Sequence, residues 1–248
     1  MCTSNFVRVT AALGAISLWP VASAIGQGAE TADAGWSWTV TPYFMAPTMS
    51  GTVGIGPVDA NVEADGADIF DKLQFGAMLN IEARKGPWAI AFDGIYMDLE
   101  QDAANADLTA GADQGAFELA VFHRLAAWSE VLVGGRLNIL GSSLDGEVLG
   151  SPVDENVDET WFDPVVGVRF TLPEAGRWDL SLRSDIGGFG VGSDLTLQVL
   201  PIVGYRLSST VTLAMGYRFI SVDYENVDKD FVYDMDTYGP DVRLKLAF

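Results

Sequence analysis

The chain is poor in the residues on which most site chemistry is built. It has one cysteine, Cys2, and one histidine, His123, in 248 residues. An internal disulfide is therefore impossible, and zinc sites assembled from Cys/His clusters are excluded by count. Basic residues are scarce too: 14 Lys and Arg stand against 34 Asp and Glu, a formal charge of -20. A polyanion such as nucleic acid would be repelled. Charged residues of both signs make up only 19% of the chain. After the first thirty residues there is no long uncharged apolar run, which excludes a helical inner-membrane protein. What the chain does have is apolar residues (49%), 27 Gly and a good supply of Trp, Tyr and Phe. A chain this acidic and yet this apolar is an unusual combination, and its length suits one domain.

The N-terminus explains part of the apolar content. Arg8 precedes an uncharged run from Val9 to Ala29. Ala11 to Trp19 is apolar, Pro20 breaks it, and Ala22-Ser23-Ala24 has the small-x-small pattern of a signal-peptidase site. This predicts an export signal over residues 1–24, a short periplasmic segment over 25–35 and a folded domain over 36–248. Pro20 and the short apolar core argue against a membrane anchor, and Cys2 lies too near the start to be a lipoprotein cysteine. Without Arg8 the exported chain carries a formal charge of -21.

Beyond that point the dominant pattern is alternation with period two. In Leu73 to Lys85, Leu73, Phe75, Ala77, Leu79, Ile81 and Ala83 share one face, opposite Gln74, Gly76, Met78, Asn80, Glu82 and Arg84. Trp36 to Ala46 and Tyr238 to Phe248 alternate in the same way. Seven further segments follow suit: Trp88–Leu99, Asp113–Leu125, Ser129–Leu140, Glu159–Thr171, Arg177–Gly187, Leu195–Leu207 and Thr210–Tyr224. Most span 11 to 15 residues, longer than the roughly five or six of a soluble strand and enough to cross an outer membrane at a tilt. Short connections, such as Arg84 to Pro87 and Leu207 to Ser209, alternate with long ones, such as Glu100 to Ala112, Gly141 to Asp158 and Glu225 to Tyr233. The expected fold is all-β: a closed antiparallel transmembrane meander β-barrel of ten strands, with eight or twelve as alternatives. Gly51–Ile55 with Val58–Val62 forms either a small hairpin above the membrane or another wall pair, and Asp68 to Leu73 a short helical turn. An even strand number puts both chain ends on the periplasmic side.

The charges sort by face. Glu82, Arg84, Asp93, Glu118, Arg124 and Glu130 all lie opposite the apolar face. So do Arg136, Asp163, Arg169, Asp179, Arg183 and Asp185, and likewise Arg206, Arg218, Asp241, Arg243 and Lys245. Nine basic and eight acidic residues make up this set. Near-balance suits a narrow barrel interior, where ions must pair to offset desolvation; Arg bonds carboxylates bidentately. The surplus acid falls in the long connections, which suggests bridging through divalent cations to anionic lipopolysaccharide. Asp228 and Asp230 do not complete a calcium-loop pattern. Trp36, Trp38, Trp88, Trp128, Trp178 and Phe248 fall at the short-turn ends of strands, and Tyr96, Phe162 and Tyr238 higher, as interfacial girdles do.

Tyr238 to Phe248 also resembles the final-strand signal read by the barrel assembly machinery, through Tyr238, Val242, Leu244, Leu246 and the terminal Phe248. Trp38-Thr39-Val40-Thr41-Pro42-Tyr43-Phe44-Met45-Ala46-Pro47, then Gly51 to Gly54, Ile69 to Leu73 and Glu82 to Trp88, resemble small proteobacterial outer-membrane barrels described as porin-like. Members tend to have a second aromatic where this chain has Met45 after Phe44. The resemblance implies fold and an outer-membrane location, with no settled activity. The implied partners are outer-membrane lipid, lipopolysaccharide and the assembly machinery, with a monomer favoured and no cofactor. A catalytic His at the external rim is wanting, because His123 falls beside a short turn on the apolar face; the reading is non-enzymatic. The roles that follow are a structural or narrow porin-like barrel, a passive pore for small polar solutes, or an envelope-stabilising or adhesive surface protein.

Overall fold

The computed structural model describes residues 35–55, 58–102, 108–148 and 151–248. The expected signal segment, 1–24, lies outside the described residues, as does nearly all of 25–35. The described chain is an antiparallel barrel. Its wall is built from β1 (Ser37–Met45), β4 (Leu73–Lys85), β5 (Trp88–Asp102), β6 (Leu108–Ala126), β7 (Ser129–Val148), β8 (Ser151–Ala175), β9 (Trp178–Gly188), β10 (Leu195–Arg206), β11 (Val211–Asn226) and β12 (Phe231–Ala247). Each strand pairs with the next, and β12 closes on β1 through Thr39↔Ala247 and Phe44↔Val242. These are the ten expected wall strands, in meander order. Among the described residues no helix is long and apolar enough to cross a membrane.

The segment from Gly51 to Val62 now has a place. β2 (Thr48–Ile55) carries on the line of β1, pairing with the upper half of β12 from Tyr238↔Thr48 to Phe231↔Ile55. β3 (Val58–Ala64) folds back on β2, so the two form a hairpin above the barrel and not a further wall pair. The helical turn is α1 (Gly66–Lys72), which leads into β4. Its start is dictated by chemistry: the Asp65 carboxylate accepts from the amides of Ala67 and Asp68, and the Asp68 carboxylate reaches back to the Asp65 amide. That reciprocal cap satisfies amides which a helix start leaves without partners.

The long connections correct the sequence reading. Gly141 to Asp158 is not a loop: β7 and β8 pair through it from Gly141↔Asp158 to Val148↔Ser151. Most of Glu100 to Ala112 likewise extends β5 and β6, and Glu225 to Tyr233 is strand, a 3-10 turn at Val227–Lys229, then strand again. β8 thus reaches 25 residues. Polar stretches without clean alternation can form strand when neither face meets lipid, since water satisfies both faces and the ladder satisfies the backbone. The β9–β10 connection is the exception. It stops at a turn through Gly188, Phe189 and Gly190, all with positive φ (85°, 55° and 72°).

The two faces of the wall differ sharply. Phe92, Leu119, Val133, Val166, Leu182, Met215 and Val242 are exposed on the outside. Trp36, Trp38, Trp88, Trp128 and Trp178 form a half-exposed ring at the short-turn end, beside both the start of β1 and Phe248. In water such a surface would be an aggregation liability; against lipid it is the ordinary outer face of a barrel.

Candidate functional site

The barrel interior is where the wall strands bring distant polar side chains together. Starting from the short-turn end, the first tier is a closed ring of alternating charge. Arg84 on β4 donates to Glu82 at 2.8 Å and to Glu130 on β7 at 2.6 Å. Arg169 on β8 completes it, donating to Glu130 at 2.7 Å and to Glu82 at 2.6 Å. The Arg169 guanidinium also lies 4.1 Å over the Phe122 ring. Arg124 sits at the mouth, more exposed, with its Nε 3.7 Å from Glu130. Asp179 and Lys245 pair at 3.2 Å beside the same opening. Arg206 is the last residue of β10, at the same end of the wall.

A small apolar cluster, including Ala91, Ala120, Phe122 and Val165, packs along β5 to β8. Beyond it comes a second ring. Arg136 on β7 donates to Glu118 at 2.7 Å and to Asp185 at 2.9 Å, with Thr196 accepting at 3.1 Å. Arg183 on β9 closes the circuit, donating to Asp185 at 2.9 Å and to Glu118. Both rings thus hold two Arg and two carboxylates, and every Arg spans both acids of its ring. Across the lumen Arg218 on β11 donates to Asp93 on β5 at 3.0 Å, while Tyr43 gives the same carboxylate a hydrogen bond of 2.8 Å. Arg243 grips Asp241 through two bonds of 2.7 Å. Arg218 and Arg243 both lie over the Tyr43 ring, at 5.1 and 4.4 Å.

Such pairs are costly to desolvate and hold only when nearly every donor and acceptor is used. The second ring meets that condition, with each of its four side chains at most 10% exposed. A glycine on the neighbouring strand β11, in register with Asp241, makes room for the Arg243 pair. A Cβ at Gly216 would lie 2.6 Å from the Asp241 carboxylate, so a larger residue there would push the pair apart.

Asp163 departs from the pattern. It is fully buried and accepts from the amide and hydroxyl of Ser193, from Asn138 and from the Trp161 indole. Those hydrogen-bond partners are all neutral. Asp163 therefore ties the β9–β10 turn to the wall. Glu159, near the long-hairpin end, is met by Lys229 at 2.8 Å, Tyr224 at 3.1 Å and Asn226 at 3.2 Å, which pins the tip of β11 to β8.

Sequence reasoning missed the tier above the second ring. There the inward side chains are apolar: Tyr43, Met45, Met78, Ile95 and Met97 in one cluster, and Trp161, Val222, Tyr224, Phe231, Tyr233 and Met235 in the next. Trp161 on β8 and Tyr224 on β11 stack at 4.2 Å. The signal was available, because Met78 and Met45 sit on the face of β4 and β1 that otherwise carries polar residues. A single Met between Asn80 and Gly76 gives no sign that several other strands place apolar residues at the same height.

The interior space follows the tiers. A cavity of about 350 Å³ opens at the short-turn end among Glu82, Arg84, Glu130 and Arg169. Above it lie pockets of only about 10 Å³, at the second ring, and about 50 Å³, in the apolar tier. Among the described residues no group of three or more His, Cys, Asp or Glu is placed to hold a metal ion. His123 packs against Trp88, with ring centroids 4.2 Å apart, and its Nδ1 is buried without a hydrogen-bond partner. Its ring is thus held by an aromatic neighbour at the short-turn end, on the wall face opposite the one that carries the charged rings.

No protein-family model matches the chain, and no curated protein matches it in sequence. Solved structures do resemble it in fold. Ail, the attachment invasion locus protein of Yersinia pestis, is 7% identical, with a TM-score of 0.43 over 86% of this chain and 99% of its own. The outer membrane protease OmpT of Escherichia coli is 9% identical, with a TM-score of 0.43 over 86% of this chain and 96% of its own. Neisserial surface protein A is 13% identical, with a TM-score of 0.33 over 87% of this chain and all of its own. Identities this low and superpositions this loose pass nothing about role from those proteins to this chain; its fold is that of a closed antiparallel ten-stranded β-barrel.

Proposed function

We propose that the chain is an integral outer-membrane barrel with a closed lumen and a structural role in the envelope. It holds acidic β-hairpins on the external side, with the short turns and both chain ends in the periplasm. The observation that carries this reading is the filled interior: a charge-locked ring and an apolar tier lie in series, and the spaces at those heights are about 10 and 50 Å³. A passive polar pore needs a continuous wet path, and an apolar tier of stacked Trp161 and Tyr224 is a barrier to ions in itself. The lipid-facing apolar belt, the Trp ring and the terminal Phe248 support the membrane setting. The acidic hairpins, with Asp223, Asp228, Asp230 and Asp234 near one tip, suit bridging to lipopolysaccharide through divalent cations. The final strand suits recognition by the barrel assembly machinery, and a monomer is favoured.

The test is conductance in planar bilayers of the protein after folding has been verified by heat-modifiable gel migration. Intact folding with no single-channel steps is the expected result. Stable steps in salt solution would replace the scaffold with a porin. A folded chain that stayed soluble without detergent would remove the membrane setting altogether.

A further inference from the structure

The external half of the lumen has features that a plug alone does not need. Barrel interiors are usually polar, yet this tier gathers five of the chain's seven methionines: Met45, Met78 and Met97 in one cluster, Met235 in the other, and Met49 packed against the latter. Methionine is unbranched and polarizable and fills irregular space without fixing its shape. The tier also keeps a void of about 50 Å³, bordered by Met45, Met78, Ile95, Met97, Ala116 and Ile220. The charged and amide groups at its edge are engaged elsewhere: Arg136 donates to Glu118, Asp185 and Thr196, Gln114 to Tyr233, and Asn138 to Asp163; the Thr237 side chain also borders it. A void lined mainly by apolar side chains, with its charged and amide neighbours already bonded to other groups, favours an apolar guest over water.

The wall beside this tier has a notch. β9 ends at Gly188 and β10 starts at Leu195, while β8 runs up to Ser151 and β11 to Asn226. Above Val165 β8 has no pairing to β9. The gap holds a pocket of about 480 Å³ bordered by Thr160, Trp161, Val191, Tyr224 and Asn226. Trp161 borders both this outer pocket and the inner void, so its ring, stacked on Tyr224, is the partition between them.

We propose that the methionine tier is a binding compartment for a small uncharged apolar molecule, up to the size of one six-membered ring, entered through the β8–β11 notch past Trp161. The void at rest is about a third of an engineered cavity that takes benzene, roughly 150 Å³, and the flexible methionines supply the rest by repacking. The guest goes no further. Beneath it lies the ring of Glu118, Arg136, Arg183 and Asp185, two cations and two carboxylates bonded to one another, and an apolar molecule would have to break those bonds without replacing them. The compartment is a dead end, and it stands whether or not the barrel conducts.

The experiment is a benzene titration of the full folded protein in detergent micelles, read by NMR of isotope-labelled methionine methyls. Met215 lies on the lipid-facing wall, 57% exposed, and reports partition into the micelle. Saturable shifts at Met45, Met78 and Met97, over and above a linear drift at Met215, are the expected result. If the interior methyls drift only in step with Met215, the compartment does not exist. Ala116→Leu, which fills the void, should weaken the saturable shift at least tenfold in apparent affinity while heat-modifiable migration is kept; unchanged affinity in that folded variant overturns the site. Should that variant not fold, the wild-type titration decides alone. Trp161→Ala should speed exchange of the guest at least tenfold, and an unchanged exchange rate overturns entry through the notch. Bilayer conductance reads the scaffold proposal separately, so the two fail independently.

Discussion

The two halves of the lumen solve the same problem with opposite chemistry. The half towards the short turns is crossed by ions, in the rings Glu82–Arg84–Glu130–Arg169, beside an open cavity, and Glu118–Arg136–Asp185–Arg183, which closes the lumen. The half towards the long hairpins is filled by Met and aromatic side chains. An ion ring is directional: each guanidinium meets two carboxylates in set geometry, so it specifies which strands face each other across the barrel. An apolar tier is adaptable and contributes through area and packing. The contrast teaches that burial in a barrel need not mean polarity, and that a rigid and a pliant filling can share one wall.

Removing one member of the buried ring should do the most damage. Arg136→Ala leaves Glu118 and Asp185 with a single cation between them, and is expected to cost about 3–5 kcal/mol, measured as a lower urea midpoint for unfolding in micelles. Met97→Ala tests the other half. With Met97 at 5% exposure, the loss should be about 2–4 kcal/mol, while Met97→Leu should cost under about 1.5 kcal/mol. That tolerance is the difference between the halves, since Arg136→Lys should not be tolerated in the same way; equal costs for the two conservative changes would end the comparison.

Ser193→Ala comes next. It takes one hydroxyl donor from buried Asp163 and should cost about 1–3 kcal/mol, with faster proteolysis at the β9–β10 turn as a second readout. Lys245→Ala should do least. Its pair with Asp179 is about a quarter to a third exposed on each side, so a change under about 1 kcal/mol is expected. A large effect there would mean that the mouth, and not the middle, locks the barrel.

Much of this was legible in the chain. Alternation in Leu73 to Lys85 puts Glu82 and Arg84 opposite the apolar face, and the same parity does so for Arg136, Arg183, Arg218 and Arg243, which are buried in the folded barrel. The hairpin extensions were not legible, because Gly141 to Asp158 carries no steady apolar face. Nor was the exception at Asp163, whose neutral partners come from Ser193, thirty residues on, and from Asn138, twenty-five residues back. Parity says which way a side chain points and nothing about what it meets.

Sequence alone settled the period, and with it the strand class, the apolar face and the sign balance of the residues opposite it. These are local properties: a side chain's face in a strand depends only on odd or even position. Tertiary structure alone decided the rings, the apolar tier and the notch. Those depend on the stagger of ten strands at closure, which sets the height of Met78 against Met97 and of Arg169 against Glu82. Stagger is a sum over every hydrogen-bonded neighbour in the wall, so no segment carries it by itself.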